Sequence, residues 1–394
     1  MTYKFLRFGI EAEFLLTPRD SKDYKGNLRE FAKHVRDVYK TGKDTTWPNM
    51  HLDIDGGYMG ANDKIEWSLT DDESVTVTDN KQCKQTTFSC PYHTSIVPNL
   101  TCAPLDPLEL VSPILHFEGN YPFRDFVNGV WKVIEAACII ETNTWCGTHV
   151  HVSPDNDYTL DQVKSVACAV LYFESSLNAL VPADRLKSKF CKSFHASNPN
   201  FKGKAMDKCI ALVDATRNHV AIIELMNNPD RCFAWNFQNL WDGRPLTIEF
   251  RQGPGVTSSI DALAWAEFAV TFVGAAIKEA GSYKDLRKYS ANVGGLKTFL
   301  KRGVVSGVSD AGALERITGR ARDPAKVEGT PPTPLDKDGE RRYERKVSDE
   351  VKKAIFVRKM EEDEKARLAT LATSDGHKAV VDIPEEGKGN VDAE

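Results

Sequence analysis

Glu11 and Glu13 in Phe8-Gly-Ile-Glu-Ala-Glu-Phe-Leu-Leu16 share a spacing with two later pairs. These are His149 and His151 in Cys146-Gly-Thr-His-Val-His-Val152, and Glu249 and Arg251 in Leu246-Thr-Ile-Glu-Phe-Arg-Gln252. Each pair sits at i and i+2 in an apolar, β-prone run, so on a strand both side chains point to the same face of a sheet. Two carboxylates about five to seven ångströms apart on a partly enclosed strand face are costly unless a cation neutralises them or one is protonated. A hard, oxygen-seeking ion such as Mg²⁺ or Mn²⁺ answers that need. His-x-His on a strand suits a metal ligand or a substrate contact, and a core histidine bonded to backbone is its alternative. Glu249 suits a metal and Arg251 a phosphate, which a guanidinium binds with two bonds; a surface cross-strand pair is the bland reading. Together the three pairs suggest a cation holding a polyphosphate.

The elements that must position these residues follow from pattern. Residues 3–17 predict a strand stopped by Pro18, and Leu28–Tyr39 has the apolar spacing of an amphipathic helix. Residues 47–77 predict a meander, and Leu108–Ser112 a short strand carrying Glu109. Phe123–Ile140 reads as a helix leading to the His-bearing strand. A second helix, from about Leu160 to Val181, opens on a Thr159/Gln162 capping box, and a third starts after Ser258. Several strands follow one another without a crossover helix. The pattern therefore predicts an α+β fold, a curved and mainly antiparallel sheet with helices packed on its outer face. Beyond about Gly303 the chain turns Gly-, Pro- and charge-rich, with Thr330-Pro-Pro-Thr-Pro as a stiff stretch and a charged, weakly amphipathic helix over 345–371.

Composition narrows the partners. The 394 residues are 41% hydrophobic and 27% charged, enough for a full core, and a net charge of −5 gives no general pull toward nucleic acid. No charged-then-apolar leader opens the chain and no apolar run reaches the roughly 18 residues of a membrane span. Cytoplasm is the expected location, with no membrane partner. The nine cysteines are odd in number and scattered, which predicts reduced thiols; Cys83 and Cys90 are too widely spaced for a tight zinc knuckle.

At these motifs the chain resembles the amidoligase enzymes, a family related in fold to glutamine synthetase and the γ-glutamate–cysteine ligases. Gly9-Ile-Glu-Ala-Glu13, Trp67 followed by Asp72-Glu-Ser74, and Glu109-Leu-Val-Ser-Pro113 match the family pattern in order. They are followed by Cys146–Val152, Asn236 and Thr247–Arg251, so the match covers about residues 8–280. Where the family has Arg then Asn-x-Tyr-Cys, this chain has Arg185-Leu-Lys-Ser-Lys-Phe-Cys191, with Ser188 and Phe190 replacing two expected side chains.

The resemblance implies an ATP-dependent ligase joining a small-molecule carboxylate to an amine through an acyl phosphate, with a glutamine synthetase-type catalytic domain. That domain would span 1–304, followed by a linker over 305–344 and a charged helix and tail over 345–394. By the same resemblance Glu13 and Glu109 hold one Mg²⁺ or Mn²⁺. Glu11, Glu249 and one histidine, His149 by preference, hold another, and Arg251 stabilises the transferring phosphoryl group. His151, Trp67, Ser74, Asn236 and Arg185 enter as substrate contacts. The alternatives are a core indole for Trp67, a turn hydroxyl for Ser74 and a solvated basic loop for Arg185. Asp72 is a candidate base for the amine, with a β-turn as its plainer role. A competing reading is a zinc amide hydrolase using Cys146, His149 and His151 with Glu13 as base. A third is a binding protein on the same scaffold that does not turn over.

Overall fold

The computed structural model of the chain describes residues 4–19, 28–54, 64–71, 106–227, 230–241 and 246–319. Asp72, Ser74, the Cys83/Cys90 pair and the expected helix over 345–371 lie outside the described residues.

In chain order the elements are β1 (Leu6–Pro18), α1 (Leu28–Gly42), β2 (Met50–Asp53), β3 (Trp67–Thr70), β4 (Asp106–Val111), β5 (Leu115–Phe117) and α2 (Phe123–Ala137). They continue with β6 (Cys138–Glu141), β7 (Gly147–Pro154), α3 (Leu160–Asn178), α4 (Phe194–Ser197), α5 (Met206–Ala215) and α6 (His219–Asn227). The last are β8 (Trp235–Asn236), β9 (Ile248–Pro254), α7 (Ser259–Lys278), α8 (Val293–Leu300) and α9 (Ala311–Thr318). The strands form one open sheet in the order β2-β3-β4-β1-β7-β9-β8, with β5 and β6 also paired to β1. Every pairing is antiparallel except β2 with β3. The predicted α+β class with a mainly antiparallel sheet is thus observed, whereas the described part of the meander expected over 47–77 differs, because β2 and β3 run parallel; 55–63 and 72–77 lie outside the described residues. Apolar alternation says which face a strand buries but not which way it runs.

Alternation along β1 organises the molecule. Phe8, Ile10, Ala12, Phe14 and Leu16 are buried on the helix side, where Phe14 meets Trp131 of α2 edge-on and Phe8 meets Phe123. Phe250 of β9 lies against Trp265 and Phe268 of α7 on the same side. Each such aromatic contributes about 1.5–3 kcal/mol by leaving water. The residues between them, Glu11, Glu13, His149, His151, Glu249 and Arg251, are thereby committed to the opposite face.

Helix α7 is apolar on all sides because it is covered on all sides, touching β1, β7, α2, α3, α8 and α9. Its 20 residues have the mean hydropathy of a membrane span, contrary to the sequence expectation, yet Trp265, Phe268 and Phe272 are core residues. Ser258 caps it by accepting from the Asp261 amide, and the Thr159/Gln162 capping box opens α3 as predicted. The helix expected over Phe123–Ile140 ends at Ala137, since Cys138–Glu141 pairs with the end of β1. There, pairing with a neighbouring strand overrides local helix spacing.

Gly303 passes against α7 where a Cβ would come within 1.9 Å of the Thr271 carbonyl oxygen. Residues 305–319, assigned from sequence to the start of a linker, pack on the same body. Val308 and Ile317 are buried, Arg124 donates to the Val308 carbonyl at 2.8 Å, and Arg316 pairs with Asp261.

Candidate active site

Register brings the three pairs together. In β1 and β7, Glu11 stands opposite His149 and Gly9 opposite His151; in β1 and β4, Glu13 stands opposite Glu109; in β7 and β9, His151 stands opposite Glu249. Between Thr148 and Val150 the β7–β9 register shifts by one residue, so the single residue His149 faces both Arg251 and Gln252.

The result is two clusters that share one imidazole: Glu11, His149 and Glu249, and Glu13, Glu109 and His149, with donor atoms in each within 4.8 Å of one another. His149 Nδ1 lies 3.2 Å from Glu11 Oε2 and 3.8 Å from Glu249 Oε1, while Nε2 lies 3.6 Å from Glu13 Oε1. His151 Nε2 is 3.0 Å from Glu11 Oε1, and its Nδ1 is 2.9 Å from Thr247 Oγ1. Arg251 pairs with Glu249 Oε1, and its Nε donates to the Phe190 carbonyl. The far oxygen of Glu249 accepts from Asn236 at 2.8 Å and from Asn239 at 3.1 Å.

The two histidines differ in charge. Burial, reinforced by Arg251, pushes His149 down, so it stays neutral and able to ligate. Burial also opposes charge on His151, but Glu11 and Glu249 outweigh it and raise the group to about 9, a cation at neutral pH. Burial penalises ionised Glu249 as well; the Arg251 guanidinium prevails and holds it at about 2. Glu11 is likewise held well below the usual carboxylate range, His151 and His149 overcoming its burial.

Gly147 makes this arrangement possible. Its N–H donates to Glu13 Oε2 at 2.6 Å, and a Cβ there would lie 2.9 Å from Arg185 Nη2, 3.1 Å from His149 Nε2 and 3.3 Å from Glu13 Oε2. Leu246 enters β9 at φ 57, a conformation costly for a branched side chain, held by its N–H on the Asn239 carbonyl. The next residue, Thr247, places its hydroxyl on His151.

Of the residues singled out from sequence, Glu11, Glu13, Glu109, His149, His151, Glu249 and Arg251 converge. Trp67 does not: it is fully buried on the helix-facing side, the core indole that the sequence left open. Asn236 is also fully buried. Its amide donates to Glu249 and its oxygen accepts from the Gln238 N–H, so it orients a carboxylate. Arg185 is not a solvated loop residue, being 2% exposed and bonded to the carbonyls of Cys146 and Arg251. Cys146 packs with Leu15, and among the described residues no three-member cluster of metal-ligand type includes it. The Cys146/His149/His151 triad of the hydrolase reading is therefore not assembled. Sequence reasoning missed Asn239, whose only signal is its position three residues after Asn236 on the turn Gln238–Leu240.

The donor set fits a hard divalent cation. It offers carboxylate oxygens and one neutral imidazole, and four carboxylates against the cations Arg251, His151 and Arg185 leave it anionic. A comparison with curated proteins finds no match. The family described as "putative amidoligase enzyme" matches residues 4–273, a span holding every converging residue. The chain belongs to that amidoligase family.

Proposed function

We propose that the protein is an ATP-dependent carboxylate–amine ligase that forms an amide through an acyl phosphate, its sheet folded as in the glutamine synthetase catalytic domain. The observation that carries this reading is the pair of carboxylate clusters meeting at His149, with Arg251 bound to a member of one of them. A carboxylate is a poor electrophile until it takes a phosphoryl group. That transfer requires charge neutralisation and positioning more than covalent help.

Glu11, Glu249 and His149 Nδ1 would hold one Mg²⁺ or Mn²⁺, and Glu13 with Glu109 another. When bound, these ions would screen the phosphate charge of ATP. Neutral imidazole offers one lone pair, so with Nδ1 committed its Nε2–H faces Glu13 and fixes that carboxylate. Arg251, held by Glu249 and the Phe190 carbonyl, supplies fixed positive charge to the transferring phosphoryl, and His151 adds a second cation beside it. The substrate carboxylate oxygen attacks the γ-phosphorus and ADP leaves. An amine nitrogen then attacks the acyl carbon, the amide forms, phosphate departs and the amine gives up a proton. The substrates are small molecules or peptides, as befits an amidoligase. We extend the proposal to a cytoplasmic setting, where ATP and Mg²⁺ are at hand.

The test is phosphate release from ATP with Mg²⁺ or Mn²⁺ across a matrix of carboxylates and amines, beside Glu249→Ala, Arg251→Ala and Cys146→Ala. Release that needs both substrates, vanishes in the first two variants and survives in the third is expected. Amide hydrolysis without ATP that fails in Cys146→Ala would replace the ligase with the zinc hydrolase.

A further inference from the structure

Arg185 sits on a single 3-10 turn, Arg185–Lys187, after α3, yet it is among the largest fully buried side chains in the molecule. Its Nη2 donates to the Arg251 carbonyl at 2.8 Å and its Nη1 to the Cys146 carbonyl at 3.3 Å. One guanidinium fork thus ties β9, at the residue that carries the phosphate-type cation, to the entry of β7, at the residue before Gly147.

Both ends of that tie lead to the site. The Cys146 carbonyl also accepts the Gly255 N–H at 3.0 Å, closing β7 on the end of β9, and the next residue aims its N–H at Glu13 Oε2. Strand β8 is two residues long, its pairing ends at Trp235 with Phe250, and the Arg251 N–H is taken by the Ala234 carbonyl. The Arg251 carbonyl is left for Arg185. The same loop returns at Phe190, whose carbonyl accepts Arg251 Nε at 3.2 Å. Arg251 is therefore gripped by backbone and by side chain from one seven-residue loop, and that loop is braced by Cys191 Sγ on the Arg185 carbonyl. A buried guanidinium desolvated for two carbonyls is an expensive way to close a loop, and it is justified where placement of other groups depends on it.

We infer that Arg185 is a positioning residue of the site: its two-pronged bond to the Cys146 and Arg251 carbonyls sets the Gly147 amide on Glu13 and fixes Arg251 beside Glu249. This rests on the proposed cation sites and adds to them a residue that touches neither cation nor substrate. The fork geometry is the operative feature, because two nitrogens fixed in one plane hold the two carbonyls at a set separation, whereas the donors of an ammonium turn about a single atom on a more flexible stem.

The experiment is a Mn²⁺ titration, by the loss of the free-ion paramagnetic resonance signal, of the full chain and its Arg185→Met and Arg185→Lys variants. Lys187→Ala, an exposed neighbour, and Val213→Ala, a core cavity in α5, are the controls, with near-ultraviolet circular dichroism reporting packing. Both Arg185 variants are expected to bind Mn²⁺ about 10–100-fold more weakly than the parent, the range for loss of a group that orients ligands. Both controls are expected to bind as the parent does. Wild-type affinity in folded Arg185→Met would overturn the inference, and so would full rescue by Arg185→Lys, which would reduce Arg185 to a buried charge. Should Arg185→Met fail to fold, Arg185→Lys decides alone. If the parent itself binds no Mn²⁺, the cation sites fall and this inference with them, an outcome distinct from equal binding by parent and variants.

Discussion

The Gly147 amide donates to Glu13 Oε2 at 2.6 Å, at a point where the side chains of Arg185 and His149 also converge. A backbone group placed this way orients a carboxylate without occupying the space a side chain would fill. Replacement by alanine puts a methyl 2.9 Å from Arg185 Nη2, closer than a Cβ tolerates, and a tight 3.1 Å from His149 Nε2. Gly147→Ala should lose about 1–3 kcal/mol of stability, as overpacked positions do, and bind Mn²⁺ at least tenfold more weakly. Urea denaturation and a Mn²⁺ titration would check this; unchanged affinity would detach Gly147 from the site.

Glu249 is held by two amides on one oxygen. Asn236→Ala removes the shorter, fully buried bond and should cost about 1–3 kcal/mol, with Asn239→Ala costing less because that residue is only half-buried. The two changes act on one atom, so a double-mutant cycle should be non-additive. Additive losses would mean that the amides do not share the carboxylate.

Charge on His151 links the site to pH. In metal-free protein the group is raised from 6.5 to about 9, so the folded state holds this proton more tightly than the unfolded chain. Its stabilising contribution is complete below pH 6.5 and is lost as pH rises through about 9. Denaturation in chelator at pH 6 and pH 9.5 should show a fall that His151→Gln largely removes. An equal fall in the variant would assign the effect elsewhere.

Glu267 lies on α7 far in sequence from the strap it holds, accepting from the Asp310 N–H at 2.9 Å and from Arg124 at 2.7 Å. Burial raises it from 4.5 to about 7 despite these bonds. The protonated form is thus favoured by folding: this group's stabilising contribution is complete below pH 4.5 and disappears as pH rises through about 7. Glu267→Gln should flatten the melting temperature between pH 5 and 8 and raise it at pH 8, by the equivalent of about 1–3 kcal/mol. A variant less stable than the parent at pH 8 would show that the Arg124 pair outweighs the burial of charge.

Much of the arrangement was legible before any coordinates. Strict alternation in β1 announced that Glu11 and Glu13 share a face opposite Phe8 and Phe14, because strand period and burial admit one solution. Helices α3 and α7 announced their starts through Thr159 and Ser258, whose hydroxyls serve free amides at a helix N-terminus. The parallel run of β2 and β3 and the end of α2 at Ala137 were not legible, since each is settled by a neighbour distant in sequence. Helices α4, α5, α6, α8 and α9 were not anticipated; each is 10 residues or shorter, too short for its apolar spacing to stand out from a loop. Trp67, Asn236 and Arg185 show the limit most clearly, their residue types suiting a substrate while their surroundings gave them to the core, to Glu249 and to two carbonyls.

The sequence by itself determined which residue types face together, because side-chain period is a local property of each strand, and it determined the family through the order of its motifs. Only the tertiary structure decided that one imidazole stands between two carboxylate clusters, that the two histidines have their pKa values moved in opposite directions, and that Arg185 is buried against the Cys146 and Arg251 carbonyls. Those properties depend on inter-strand register, on the one-residue shift at His149 and on burial, which are set by pairing between segments roughly 100 to 150 residues apart.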